Sequence, residues 1–213
     1  GLLCAAGDGG RGVRGLQGSC PVMRRLLAAA ARVWEGGGRG ANAGLVVYEG
    51  VKGLVAVELV IEEPRGDLHS MFATVVPNPA WRMVQLLSSF GTGDKEPFAG
   101  FWEGVQPASA SDLENLGQYC ADEAQALRGL GARSDIDDTE LVRHHDFEPT
   151  FNIAGLAAGY GGEGFKTVLP NRATARLDLR LVPGQRTEAV IQRLRAHVDA
   201  HGFSDIDMRV RAT

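Results

Sequence analysis

Hydrophobic positions along this chain switch repeatedly between a period of two and a period near 3.6. In "LVAVELVIEE" Val55, Val57, Leu59 and Ile61 share one face of an extended segment, while Ala56, Glu58 and Glu62 share the other. "VVPNPAWRMVQLLSSF" changes to helical spacing, with Pro79 suited to the first turn and Asn78 to the cap. It offers two apolar stripes, Trp81/Val84/Leu87 and Met83/Leu86/Phe90. "PTFNIAGLAAGY" reads as a strand, and "YGGEGFKTVLPNRA" as a glycine-rich turn or loop. "RATARLDLRLV" alternates strictly: Ala173, Ala175, Leu177, Leu179 and Leu181 against Thr174, Arg176, Asp178 and Arg180. "TEAVIQRLRAHVDAHG" predicts an amphipathic helix with Val190, Ile191, Leu194 and Val198 inward and Gly202 as C-cap. "DIDMRVRA" alternates again through Ile206, Met208 and Val210.

The resulting order is β-α-(insertion)-β-β-α-β. The insertion, at about 91–149, carries helical candidates around "SASDLENLGQYCADEAQALRGL" and "DDTELVRHHDF". Strands with one apolar and one polar face predict a sheet covered by helices on one side only. The expected fold is therefore α+β: a ferredoxin-like sandwich with a four-stranded antiparallel sheet. Such a sheet leaves edges open, so a homodimer through a sheet edge or a helix is the expected partner. Residues 1–47 are a glycine-rich lead-in around the helical candidate "VMRRLLAAAARVW", read as the remnant of another domain. Residues 48–213 form the domain proper. The stretch from Met23 has only a faint likeness to a signal peptide, because Arg32 interrupts it.

Composition narrows the function classes. A net charge of -4 and scattered Lys and Arg argue against nucleic acid as a partner. No apolar run is long enough for a membrane span. Three widely spaced cysteines (Cys4, Cys20, Cys120), with no CxxC pair, fit a reducing cytoplasmic setting.

Two GxGxxG matches occur. The one at Gly159, Gly161 and Gly164 runs into a strand, and the one at Gly7, Gly9 and Gly12 is not followed by a convincing helix. His197 and His201 stand at i, i+4 but lack the HExxH glutamate and fall among charged positions, which favours a solvated face over a metal clamp. "RHHD" from Arg143 to Asp146 lies in the insertion, where an exposed, solvated position accounts for its polar residues equally well. No GxSxG or other nucleophile motif is present. Residue chemistry alone therefore identifies no catalytic centre.

Three stretches taken together change that picture: "GVKGLVAVELVIEEPRGDLHSMFATVVPNPAW", "FEPTFNIAGLAAGYGGEGFKTVLP" and "ARLDLRLVPGQ". In this order they resemble the aminoacylase/carnosine-dipeptidase family of di-zinc metallopeptidases, most closely its dipeptidase-like branch. The match spans about residues 48–213, with "GFWEGVQP" matching loosely. The resemblance implies the lid, or dimerisation, domain, a ferredoxin-like unit inserted into a separate zinc-binding domain.

By this resemblance His69 of "DLHS" would reach the partner subunit's active site and donate to the scissile carbonyl and its oxyanion. Thr167 and Arg180 would bind substrate, the arginine holding the free carboxylate of a peptide-like substrate. Arg180 also has an independent case, since its guanidinium fork on the polar sheet face can hold a carboxylate. The plainer readings are a local hydrogen bond for His69 and, for Arg180, an ion pair with Asp178 or with another strand. Gly155 and Gly159 are expected to serve backbone conformation or close approach.

The chain departs from the family in having no HxDxVP segment and no Glu-Glu metal motif in residues 1–47. Zinc is expected in the full-length family, no metal site or other cofactor in this chain, and no hydrolysis from it alone. The alternative is a standalone ferredoxin-like dimerisation or binding module without catalysis. A nucleotide-binding protein built on Gly7, Gly9 and Gly12 would need a parallel sheet, which the one-faced strands oppose.

Overall fold

The computed structural model describes residues 37–39, 45–47, 50–92 and 95–213. The chain forms two compact units, Gly1–Tyr48 and Glu49–Thr213. In the first, strand β1 (Gly37–Arg39) pairs antiparallel with β2 (Leu45–Val47). The helical candidate from Met23, the first glycine motif, Cys4 and Cys20 lie outside the described residues.

The second unit begins with β3 (Gly53–Glu62), the short strand β4 (Leu68–His69) and a 3-10 turn, Ser70–Thr74. Helices α1 (Pro79–Ser88), α2 (Ala110–Gly129) and α3 (Asp138–Phe147) follow. Then come β5 (Thr150–Ala158), β6 (Val168–Leu169), β7 (Arg172–Leu181), α4 (Thr187–Ala200) and β8 (Asp207–Ala212). The main sheet has the order β5-β7-β3-β8 with every neighbouring pair antiparallel. This is the ferredoxin-like arrangement expected from the alternating pattern.

Alternation sets the register. Val55, Val57, Leu59 and Ile61 of β3 lie opposite Leu179, Leu177, Ala175 and Ala173 of β7, and all eight are buried. Met83, Leu86 and Phe90, with Val190, Leu194 and Val198 of α4, close the core over this face. Of the two candidate stripes on α1, the Met83 stripe is the inward one, while Trp81 and Val84 remain exposed.

Asn78 caps α1, its Oδ1 accepting from the Ala80 N–H at 2.9 Å, and Pro79 fills the first turn where no N–H is needed. At the other end of α4, Gly202 at φ +86° lets Phe203 N–H reach the Val198 carbonyl and Gly202 N–H the Asp199 carbonyl. That is a Schellman stop, with glycine just beyond the cap residue His201.

The insertion divides in two. Phe98 and Phe101 join the main core, whereas α2 and α3 pack on each other around Leu116, Ala124, Leu141 and Val142. A capping box at Ser109 and Asp112 starts α2, and Asp137 caps α3. The loop before α2 is locked to the β7–α4 turn by two glycines. Gly104 (φ +87°) and Gly184 (φ +91°) approach so closely that a Cβ on Gly184 would lie 2.0 Å from the Gly104 carbonyl oxygen. Gln185 ties the same junction, accepting from Val182 N–H and donating to the Phe101 carbonyl.

Candidate functional site

Chain path brings His69 and Thr167 together. After β3 the backbone runs through Asp67, whose carboxylate accepts from Asn171 N–H at 3.0 Å, into β4, which pairs with β6. His69 lies opposite Val168 in that ladder, and the next amide, Ser70 N–H, donates to the Thr167 carbonyl at 3.2 Å. The His69 side chain is exposed, and its Nδ1 accepts from Met71 N–H at 3.1 Å, capping the 3-10 turn. An imidazole whose Nδ1 accepts a backbone N–H carries its proton on Nε2 when neutral. The local hydrogen bond is therefore real, and it also prepares a free Nε2–H donor.

Arg180 lies elsewhere. It pairs with Leu54 of β3 and Thr150 of β5 at the far end of β7 from Arg172. The eight residue steps from Arg172 to Arg180 span about 27 Å of strand, so one subunit does not bring Arg180 to His69 and Thr167. Its Nε donates to Asp178 Oδ1 at 3.3 Å with the arginine side chain half exposed, the local ion pair the sequence allowed.

The open face between these ends is a charged floor. Glu58, 8 % exposed, accepts from Arg211 and from Arg176 Nε (3.4 Å). Hydrogen bonding to Arg211, more than the opposing burial, holds its carboxyl below the usual range. A concavity of about 430 Å³ opens there, lined by Glu58, Arg176, Arg211 and Ala154 among others. It sits where β5 shifts register between Ile153 and Gly155, and the Arg176 side chain lies 3.7 Å from where a Gly155 Cβ would be. Gly159, at φ +69°, turns the chain out of β5.

The two sheet edges differ in chemistry. β8 carries Asp207, Arg209 and Arg211, charges of the kind that block strand addition. β5, "TFNIAGLAA", carries none, and Ile153 and Leu156 are exposed. Helix α1 lies on the same side, Phe90 just past its end contacting Phe151 of β5 at a ring separation of 4.8 Å. Its outer stripe, Trp81, Val84, Gln85 and Ser88, is exposed and uncharged. Sequence reasoning did not single out this edge, although the absence of charge over nine residues was its visible signal.

Histidines elsewhere are committed. His197 is half-buried rather than solvated as expected: its ring stacks on Phe90 at 4.6 Å. Ser89 Oγ donates to the Leu86 carbonyl and so accepts from His197 Nε2–H at 2.9 Å. Burial, and then the neighbouring His201, lower the His197 pKa. His201 Nδ1 donates to the His197 carbonyl. His144 sits between Glu140 and Glu148, both also bonded by Arg143. Among the described residues no group of three His, Cys, Asp or Glu side chains could hold a metal ion. Among the described residues the donors present do not fit a zinc ion. No helix among the described residues is long and apolar enough to cross a membrane.

The antiparallel ferredoxin-like sheet thus has one charged edge and one uncharged edge, with the exposed His69 turn near one end. The peptidase dimerisation domain model matches residues 50–205. The chain belongs to this family of peptidase dimerisation domains.

Among curated proteins it is similar to the Cys-Gly metallodipeptidase DUG1 of Saccharomyces cerevisiae, 26% identical over 159 residues, 73% of this chain and 33% of that protein. Human Beta-Ala-His dipeptidase is 24% identical over 137 residues, 62% of this chain and 27% of that protein. The chain thus spans about a third of the length of the curated relatives it matches. Among solved structures, an M20 family metallo-carboxypeptidase, Sso-CP2 from Sulfolobus solfataricus, superposes with a TM-score of 0.78 at 29% identity, covering 92% of this chain and 45% of that one.

Proposed function

We propose that this chain is the dimerisation and lid region of a zinc-dependent dipeptidase or amidohydrolase, and that it builds half of each active site from either subunit. The observation that carries the reading is the separation of His69 and Thr167 from Arg180 along the sheet. A two-fold axis pairing β5 with its copy, antiparallel, sets the Ala158 end of one strand beside the Thr150 end of the other. Arg180 lies next to Thr150, and the loop leading to Thr167 follows Ala158. The pairing therefore carries His69 and Thr167 of one subunit toward Arg180 of its partner. Three inter-strand spacings, about 14 Å, separate the two copies of β7.

In this composite site Arg180 exchanges Asp178 for the carboxylate of a peptide-like substrate, a bidentate match for the guanidinium fork. His69 donates its Nε2–H toward the scissile carbonyl oxygen, where negative charge develops during hydrolysis. Thr167 contributes to binding beside it. Zinc, as the resemblance implies, belongs to the part of such enzymes that this chain does not cover, and it would supply the attacking water. This chain alone is then inert as a hydrolase.

The experiment is sedimentation equilibrium of the chain and two variants. Leu156→Lys places a charge on the open edge and is expected to give monomers, while Val210→Lys on β8 leaves the dimer intact. A dimer indifferent to Leu156→Lys would sink the β5 pairing.

A further inference from the structure

The loop between β5 and β6 holds an unusual exposure. Phe165 is 92% exposed, yet the segment around it is tightly built. Gly159 (φ +69°) and Gly164 (φ +85°) set its two turns, and the Tyr160 hydroxyl donates to the Glu163 carbonyl at 2.9 Å. Tyr160 folds so closely over Gly162 that a Cβ there would meet the hydroxyl oxygen at 2.6 Å. Lys166 places its ammonium 5.9 Å from the Tyr160 ring centroid. A braced loop thus holds a bare phenyl ring in water, two residues before Thr167, whose carbonyl accepts from Ser70 N–H of the His69 turn. Exposing that ring forgoes the favourable burial of an aromatic group, which an occupant of the site would restore.

We infer that Phe165 is a specificity-determining residue, the wall against which an apolar side chain of a bound dipeptide packs. This rests on the composite-site reading, because Phe165 travels with His69 and Thr167 toward the partner's Arg180. It commits the substrate class to dipeptides bearing at least one apolar side chain.

The test is NMR titration of the dimeric chain with Gly-Gly, Leu-Gly and Gly-Leu. The Arg180 guanidinium resonance reports the composite site and is expected to move with all three peptides. The Phe165 ring resonances should move only with the peptides carrying leucine, one or both of which should bind about fivefold tighter than Gly-Gly, as partial burial of a leucine implies. Phe165→Ala should level the affinities and Phe165→Leu should preserve the preference. Both variants should keep the parent Tm, since the ring makes no core contact. Equal affinities in the unmodified chain, or a preference that survives Phe165→Ala, would overturn the inference while leaving Arg180 binding intact. A motionless Arg180 resonance would overturn the composite site and this inference with it.

Discussion

Replacing Gly184 with alanine tests how the arginine-bearing end of β7 is held. Gly184 has φ +91°, a conformation that costs an L-residue about 1–2 kcal/mol. Reduced freedom of the unfolded chain returns about 0.4–1 kcal/mol of that. Gly131 makes a matched control, with φ +90° and open space where its Cβ would go, so Gly131→Ala should cost about 0–1.6 kcal/mol.

At Gly184 the new Cβ would sit 2.0 Å from the Gly104 carbonyl oxygen and 3.2 Å from its carbon. Those are backbone atoms, so relief requires moving the loop that also carries Phe98 and Phe101 into the core. Overpacking of that kind adds about 1–3 kcal/mol, for a total of about 1–5 kcal/mol, centred near 3. Thermal unfolding of the two variants against the parent separates the contributions. The predicted Tm loss for Gly184→Ala is about 10 °C, against about 3 °C for Gly131→Ala. A Gly184→Ala variant no less stable than Gly131→Ala would refute the locked junction.

Further outcomes follow from the same contacts. Because burial depresses the His197 pKa below 6.5, the unfolded chain binds the proton more readily. His197 therefore adds stability above pH 6.5 that is lost as pH falls through its folded pKa. Urea midpoints between pH 7.5 and 5.5 should decline less in His197→Gln than in the parent. Asp135 is held near pKa 2 by Arg133, so its contribution is lost only below the ordinary carboxylate range, a window that acid titration separates from the histidine step. Asn78→Ala removes the α1 cap and should lower stability by about 1 kcal/mol in the same assay, with no change in oligomeric state.

The sheet was legible in the sequence because alternation in β3 and β7 is strict and both strands bury one face. α1 was legible in extent but ambiguous in orientation. Its Trp81 and Met83 stripes are equally apolar, and only packing against β7 chose the one without tryptophan. His197 misled because polar residue type does not reveal that Phe90 lies under the ring. His69, Thr167 and Arg180 were proposed by resemblance to a family pattern. Their separation was not, because distance along a strand becomes visible only once β4–β6 and β5–β7 are registered. The unguarded edge of β5 lay in plain view as nine residues without charge, but an edge strand cannot be told from a central one before the strand order is known.

The most direct measurement is a spin-label distance in mixed dimers. His69→Cys chains and Arg180→Cys chains, each with Cys4, Cys20 and Cys120 replaced by serine, are labelled separately, mixed, and read by double electron–electron resonance. The composite site predicts an inter-subunit separation under about 20 Å, shorter than the span of about 27 Å along β7 within one chain. An inter-subunit distance beyond about 35 Å would contradict it.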